Sequence, residues 1–235
     1  MKENTNCMSC QNTECFVRQF CSPEWLQKID KRKFQTAYKQ GQNIIHEGFP
    51  ALGIYIIQKG KAKIVLNGFG GRQQVTRFAN SGQMLGYKMD SNNLNPTSIV
   101  TMEDSQICFI ENIFLHEILM NNPNFTIALM TYYSQELINM EIRIKNLAQM
   151  TIREKVADSL LLLNDHFGIN CSNEINVHFS RKDIANIAGT TSEQVVRQFS
   201  EFEETNLISK NGRKITIINI VALRKIVSYH YQNAV

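Results

Sequence analysis

Residues 180–197, SRKDIANIAGTTSEQVVR, constrain this chain more than any other stretch. Ile184, Ile187 and Ala188 recur at helical spacing until Gly189 breaks the pattern. Thr190, Thr191 and Ser192 then offer N-caps for a second helix, in which Val195, Val196 and Phe199 can pack back. Two short amphipathic helices joined by a glycine turn form a helix-turn-helix, and its second helix fits a DNA major groove.

The flanks extend that unit. LISKNGRKITIIN reads as a hairpin, with Leu207 and Ile208 before an Asn211-Gly212 turn and Ile215, Ile217 and Ile218 after it. A hairpin in that place is a wing. Upstream, IREKVADSLLLLNDHFG reads as a helix stopped by Gly168, and INVHFS as a short strand. VALRKIVSYHYQ reads as the last helix. The net charge of +4 is mild, and residues 151–235 hold ten Lys/Arg against nine Asp/Glu. Charge for binding DNA must therefore be local, and Arg181, Lys182, Arg197, Lys210, Arg213 and Lys214 are the candidates.

The rest of the chain changes character three times. Residues 1–22 form a Cys-rich head with little hydrophobic periodicity, which reads as flexible. Within 23–122, runs such as GIYIIQKGKAKIVL, VTRFA, SIVTM and ICFI are punctuated by glycine, as in an antiparallel barrel or sandwich. Pro123 opens a long helix over 123–150, where Met130, Tyr133, Leu137, Met140, Ile144 and Leu147 step by three and four. That stripe either packs on the chain's own barrel or forms a homodimer seam. The seam is favoured because Ile138 and Ile142 remain for the barrel face. Residues 151–235 carry the winged helix-turn-helix, so the fold class is α+β.

No run of about 18 apolar residues exists to span a membrane. The opening MKENTNCMSC lacks the apolar segment of a secretory signal, so a cytoplasmic location is expected. A thiol or iron–sulfur redox enzyme finds no support. There is no CxxC before a helix in a βαβ unit, no phosphate-cradling glycine loop and no paired catalytic constellation.

The order of parts, and above all RKDIANIAGTTSEQVVRQFSEFEETNLISKNGRKITI, resembles the cyclic-AMP receptor/FNR family of bacterial transcription regulators over about residues 7 to 219. The resemblance implies an N-terminal β-roll, a long dimerisation helix and a C-terminal winged helix-turn-helix. It places Glu193 and Arg197 where that family reads bases, one helical turn apart on one face. Arg can bond guanine O6 and N7 together, and Glu can accept from cytosine N4. A palindrome of TGA-like half-sites follows. Val196 stands where the family has Ser or Gly, which leaves the first base of the half-site open. Arg181, Thr191, Ser192, Lys210 and Arg213 complete the expected DNA-binding set. RNA polymerase joins the partners if binding activates transcription.

For the effector, the cyclic-nucleotide branch uses a Glu for the ribose and an Arg-Ser pair for the phosphate. Here Gln83 and Met84 stand near the first and Pro96-Thr97-Ser98 near the second. No Arg lies between Arg77 and Arg143, and Lys88 is the only nearby cation. A buried phosphate would lose its strongest bonds, so cyclic nucleotide is not expected.

Cys7, Cys10, Cys15 and Cys21 crowd the head, and Cys108 stands in SQICFIENIF. Cytosolic thiols stay reduced, which favours metal ligation over disulfides. The resemblance implies one 4Fe–4S cluster per subunit, with three head ligands and Cys108 as the fourth. The favoured set is Cys10, Cys15, Cys21 and Cys108, with Cys7 as alternate. Zinc, or no metal with Cys108 as a small buried apolar residue, remain the alternatives. A regulator using a small ligand, haem or nitric oxide in the barrel is the alternative function. Cys171 has no ligand-spaced neighbour, and the five His residues are scattered.

Overall fold

The computed structural model describes residues 6–86, 93–212 and 214–231. The chain divides into two compact units, residues 1–67 with 77–136, and residues 68–76 with 137–235.

The first unit is a β-roll with its head folded onto it. Helix α1 (Phe16–Phe20) leads into α2 (Pro23–Arg32), which starts with Pro at its first position and Glu24 in its first turn. It ends on Lys31 and Arg32, so its charges complement the helix dipole at both ends. Strands β1 (Phe34–Tyr38), β8 (Ser105–Glu111), β3 (Gly53–Lys59) and β6 (Met84–Leu85) form one antiparallel sheet in that order. Strands β2 (Asn43–Ile45), β7 (Ser98–Thr101), β4 (Lys61–Asn67) and β5 (Gln73–Asn80) form the second.

The run GIYIIQK of β3 is apolar on both faces, as a strand covered on both sides must be. Ile57 faces the interior of the roll with Ile107, Leu85 and Ile64. Ile54 and Ile56 face outward, where they share a core with Val17 and Cys21 of the head and Trp25, Leu26 and Ile29 of α2. The head is therefore a docked layer of the core rather than a flexible arm. Gly82 seats it. Phe16 N donates to Gly82 O at 3.0 Å, and a Cβ on Gly82 would lie 2.4 Å from the Glu14 carbonyl oxygen.

Helix α3 (Asn112–Asn121) follows β8 directly, and α4 (Pro123–Gln149) opens at Pro123 as expected. The expectation that Ile138 and Ile142 face the barrel is not met. Phe125, Leu129 and Tyr132 take that role, stepping by four and three, while Ile138 is 46% exposed. Arg77 also ties α4 to β5, donating to Tyr132 Oη at 2.7 Å and pairing with Glu136. The long stripe is uncovered along one edge: Met130, Leu137 and Ile144 are each at least 61% exposed, and Tyr133, Met140 and Leu147 are half-buried.

In the second unit, α5 (Ile152–Phe167) begins with a capping box between Thr151 and Glu154 and stops at Gly168. Residues 175–180 make only isolated bridges at their start, Ile169 to Ile175 and Glu174 to Thr216, rather than the expected strand. Helix α6 (Arg181–Ala188) begins with a second capping box, Ser180 with Asp183. It ends at Gly189, whose φ of 61° is the left-handed conformation that a side chain disfavours. Helix α7 (Ser192–Glu204), the hairpin of β9 (Ile208–Asn211) and β10 (Lys214–Ile217), and α8 (Ile220–Tyr231) complete the unit. Asn211, expected in the turn of that hairpin, instead pairs with Lys214 at the end of β9.

Candidate nucleic-acid interface and metal centre

The polar face of α7 is set by its apolar one. Val195, Phe199 and Phe202 are fully buried, which turns Glu193, Val196 and Arg197 outward. Val196 is half exposed, so it stands on the outward face instead of packing back. Thr191 is the N-cap, its hydroxyl oxygen accepting from Gln194 N at 3.4 Å. The Thr191 hydroxyl also sits beside the Glu193 carboxyl and holds it below the usual carboxylate range. Ser192 is half-buried at the first turn. Glu193 and Arg197 form no ion pair with each other or with any other described residue, which leaves the guanidinium available.

Three of the other candidate cations have partners within the unit. The Arg181 guanidinium lies 4.8 Å from the centre of the Phe199 ring and donates to Gly212 O at 3.0 Å. These contacts tie the start of α6 to α7 and to the wing. Lys210 pairs with Glu203 at 2.8 Å and Lys214 with Glu174 at 3.0 Å. Lys182 is exposed. Arg213 and Lys88 lie outside the described residues.

Within the first unit, Cys7, Cys10, Cys15 and Cys108 line one cavity. Val17, Ile29 of α2, and Ile56 and Ile110 of the sheet supply its apolar walls, and Asn12, Arg18, Lys33, Gln35 and Gln58 its polar ones. Cys108 faces this side because the strand alternates: Ile107 packs in the interior of the roll, and Cys108 packs on the core shared with the head. Cys21 does not line the cavity. It is 7% exposed at the end of α1, packed in the core behind the other thiols.

Donors surround the sulfurs. Lys33 Nζ donates to Cys7 Sγ at 2.9 Å, Gln35 Nε2 to Cys108 Sγ at 3.4 Å, and Gln58 Nε2 to Cys10 Sγ at 3.8 Å. Arg18 donates to the Cys10 and Asn12 carbonyls, and Asn12 Nδ2 to Gln58 O at 2.8 Å, pinning the loop. Burial pushes the Cys7 and Cys15 thiols up, and carries Cys108 to about 11 and Cys21 to about 12. Burial also pulls Lys33 down, but its bonds to Asp30 and Cys7 outweigh that and hold it above its ordinary value. All of these cysteines are free thiols. No group of three His, Cys, Asp or Glu among the described residues is spaced for a single metal ion.

Sequence reasoning did not single out Lys33, Gln35, Gln58, Arg18 or Asn12. Lys33 ends a Lys31-Arg32-Lys33 run that reads as a solvated charge, and amides on strands carry no signal of what they face.

A β-roll, a long helix and a winged helix-turn-helix with a free arginine on its outward face define a DNA-binding transcription regulator. Residues 154–226 match the model of a Crp-like helix-turn-helix domain, and residues 35–122 that of a cyclic nucleotide-binding domain. The fumarate and nitrate reduction regulatory protein of Yersinia pestis is 27% identical over 223 residues, spanning 91% of this chain and 88% of that relative. The regulatory protein HlyX of Actinobacillus pleuropneumoniae is 27% identical over 222 residues, 91% and 92% of the two chains. The structure of FixK2 from Bradyrhizobium japonicum shares the fold, with a TM-score of 0.73 at 22% identity over 83% of this chain and 96% of that one. The chain belongs to the cyclic-AMP receptor/FNR family, and these relatives are transcription regulators rather than enzymes.

Proposed function

We propose that this chain is a cytoplasmic, homodimeric regulator whose binding to palindromic DNA is gated by a 4Fe–4S cluster held by Cys7, Cys10, Cys15 and Cys108. One observation carries the reading: three head thiols and a thiol from β8 converge on one cavity. The donor set fits. Four thiols are the ligands such a cluster takes, and N–H donors to three of the sulfurs match the hydrogen bonding that stabilises thiolate ligands. The cube takes its thiolates at four separate corners, so spacing unsuited to a single ion is consistent with it. Cys7 replaces Cys21 in the set because Cys21 is off the cavity.

When bound, the cluster supplies an oxidant-sensitive link between head and sheet. The chain's own residues transmit its state. Phe16 packs edge-on against Phe125 at 5.5 Å and Tyr132 at 5.7 Å, so the head grips the first half of α4. Strand β8 carries Cys108 three residues before Glu111, the N-cap of α3. Release of the head thiols would loosen this grip and shift the population that pairs along Met130, Tyr133, Leu137, Met140, Ile144 and Leu147. An exposed apolar stripe of this length is the expected mark of such an interface.

Cyclic nucleotide is not the effector in this reading. Besides the missing arginine, Ser98 Oγ accepts from Glu47 N at 3.0 Å and Gln83 Oε1 from Asn80 N at 2.8 Å, so both groups serve the roll itself.

On DNA, Arg197 reads guanine and Glu193 cytosine in a TGA-like half-site, with Thr191, Ser192 and Val196 beside them. The test is protein purified under argon, assayed for visible absorbance, iron and acid-labile sulfide, then used to select from random oligonucleotides before and after air. A brown protein that bleaches in air and selects a palindrome only while brown is expected. An iron-free anaerobic protein overturns the gating, and the absence of any sequence preference overturns the DNA reading.

A further inference from the structure

We propose that Lys33 is a positioning residue for the sulfur set, placing a fixed positive charge against Cys7, with Asp30 as its anchor. This rests on the cluster reading above.

The geometry is a closed triangle. Lys33 Nζ stands 2.7 Å from Asp30 Oδ1 and 2.9 Å from Cys7 Sγ, and Cys7 N donates to the same Asp30 Oδ1 at 2.9 Å. The end of α2 holds the corner in place, because Lys33 N donates to Ile29 O at 2.8 Å. The Lys33 side chain is only 2% exposed. A buried ion pair is a poor device for stability, since apolar residues of like volume commonly do as well or better. Here it lines a cavity that Val17, Ile29, Ile56 and Ile110 share. Its direction supplies the reason. The ammonium points at sulfur, and a charge-assisted bond is roughly twice as strong as a neutral one.

Four thiolates around an iron–sulfur core leave a net negative charge in a largely buried cavity, and that charge needs compensating cations. Arg18 also lines the cavity, but it gives Nη1 to the backbone carbonyls of Cys10 and Asn12. Gln35 and Gln58 give neutral bonds to Cys108 and Cys10. Lys33 is thus the cation whose charged group bonds a sulfur directly, whereas Arg18 spends its bonds on the backbone and the two glutamines give neutral ones.

The test compares Lys33→Gln, Lys33→Arg and Asp30→Asn with the wild-type chain, each reconstituted under argon with ferrous iron and sulfide. Two quantities are read: the half-time for loss of visible absorbance to an iron chelator, and the midpoint potential. Outer-shell partners of metal ligands are typically worth about 10–100-fold, so Lys33→Gln is expected to shorten the half-time by about that factor. Its potential falls, because removing a nearby cation disfavours the added electron. Lys33→Arg keeps both values close to wild type, whereas Asp30→Asn shortens the half-time by less than Lys33→Gln and moves the potential upward, because it removes a nearby negative charge. A Lys33→Gln protein that matches wild type in both readings overturns the inference. So does Lys33→Arg failing as badly as Lys33→Gln, which would mark a role in packing. If far-UV circular dichroism shows Lys33→Gln unfolded, Asp30→Asn decides: unchanged half-time and potential overturn the inference. A wild-type chain that takes up no iron or sulfide overturns the cluster reading first and this inference with it. Those two failures are thereby distinguished.

Discussion

Gln35 and Cys108 are register partners across β1 and β8, and the Gln35 amide donates to the Cys108 sulfur at 3.4 Å. The ladder itself therefore aims this thiol at the head. Strand alternation puts Cys108 on the head side, and the cross-strand amide fixes its direction.

That arrangement separates the five candidate thiols by role. Serine at Cys7, Cys10, Cys15 or Cys108 should abolish the iron and sulfide content of the anaerobically reconstituted protein, because a hydroxyl is a poor substitute for thiolate. Cys21→Ser should keep the content and lower the melting temperature, since it places a hydroxyl in an apolar core. Iron and sulfide assays with thermal melts check both, and loss of iron on Cys21→Ser would restore it to the ligand set.

Cys21 also sets a pH dependence of the metal-free protein. Its thiol titrates at about 12 in the fold, raised by burial from 9.0. The folded chain keeps this proton to higher pH than the unfolded chain does. The associated stability is whole below about pH 9 and lost as pH rises towards 12. Chemical denaturation from pH 8 to 11 should show stability falling with pH, with a shallower slope in Cys21→Ala. Cys108, raised to about 11, leaves part of the slope in place. An identical slope in the variant would remove Cys21 as a cause.

Arg197→Ala should weaken specific DNA binding by roughly 1–3 kcal/mol and relax preference at one base pair of each half-site. Binding to a scrambled duplex should change far less. Titrations of both duplexes at one salt concentration make the comparison, and equal losses on the two would reassign Arg197 to a phosphate.

Met140→Glu combined with Ile144→Glu sets four carboxylates against each other in a paired seam. The doubly substituted chain should run as a monomer by sedimentation, with unchanged helix content. An unchanged dimer mass would remove this stripe as the interface.

The helix-turn-helix was legible in the sequence because every device that makes it is local. Ile184, Ile187 and Ala188 mark a helical face, Gly189 supplies the left-handed residue, and Thr191 caps the next helix. The strands of the roll and the start of α4 at Pro123 were legible for the same reason. The docking of the head was not. Helix α1 has five residues, too few for a period to show, and Cys21 serves there as an apolar packing residue. Spacing alone could not choose three ligands among four head cysteines, since the choice depends on which thiols the docked chain turns towards Cys108. The contacts of Arg181 with Phe199 and Gly212 were not legible either, because they join residues far apart in sequence.

The contact at Gly82 gives the thiol-bearing segment its address. Even one methyl group there would strike the backbone at Glu14, one residue before Cys15. Access to the sheet at this point is granted by empty space, so alanine at 82 should pry Cys15 away from Cys108 while leaving every sulfur in the chain.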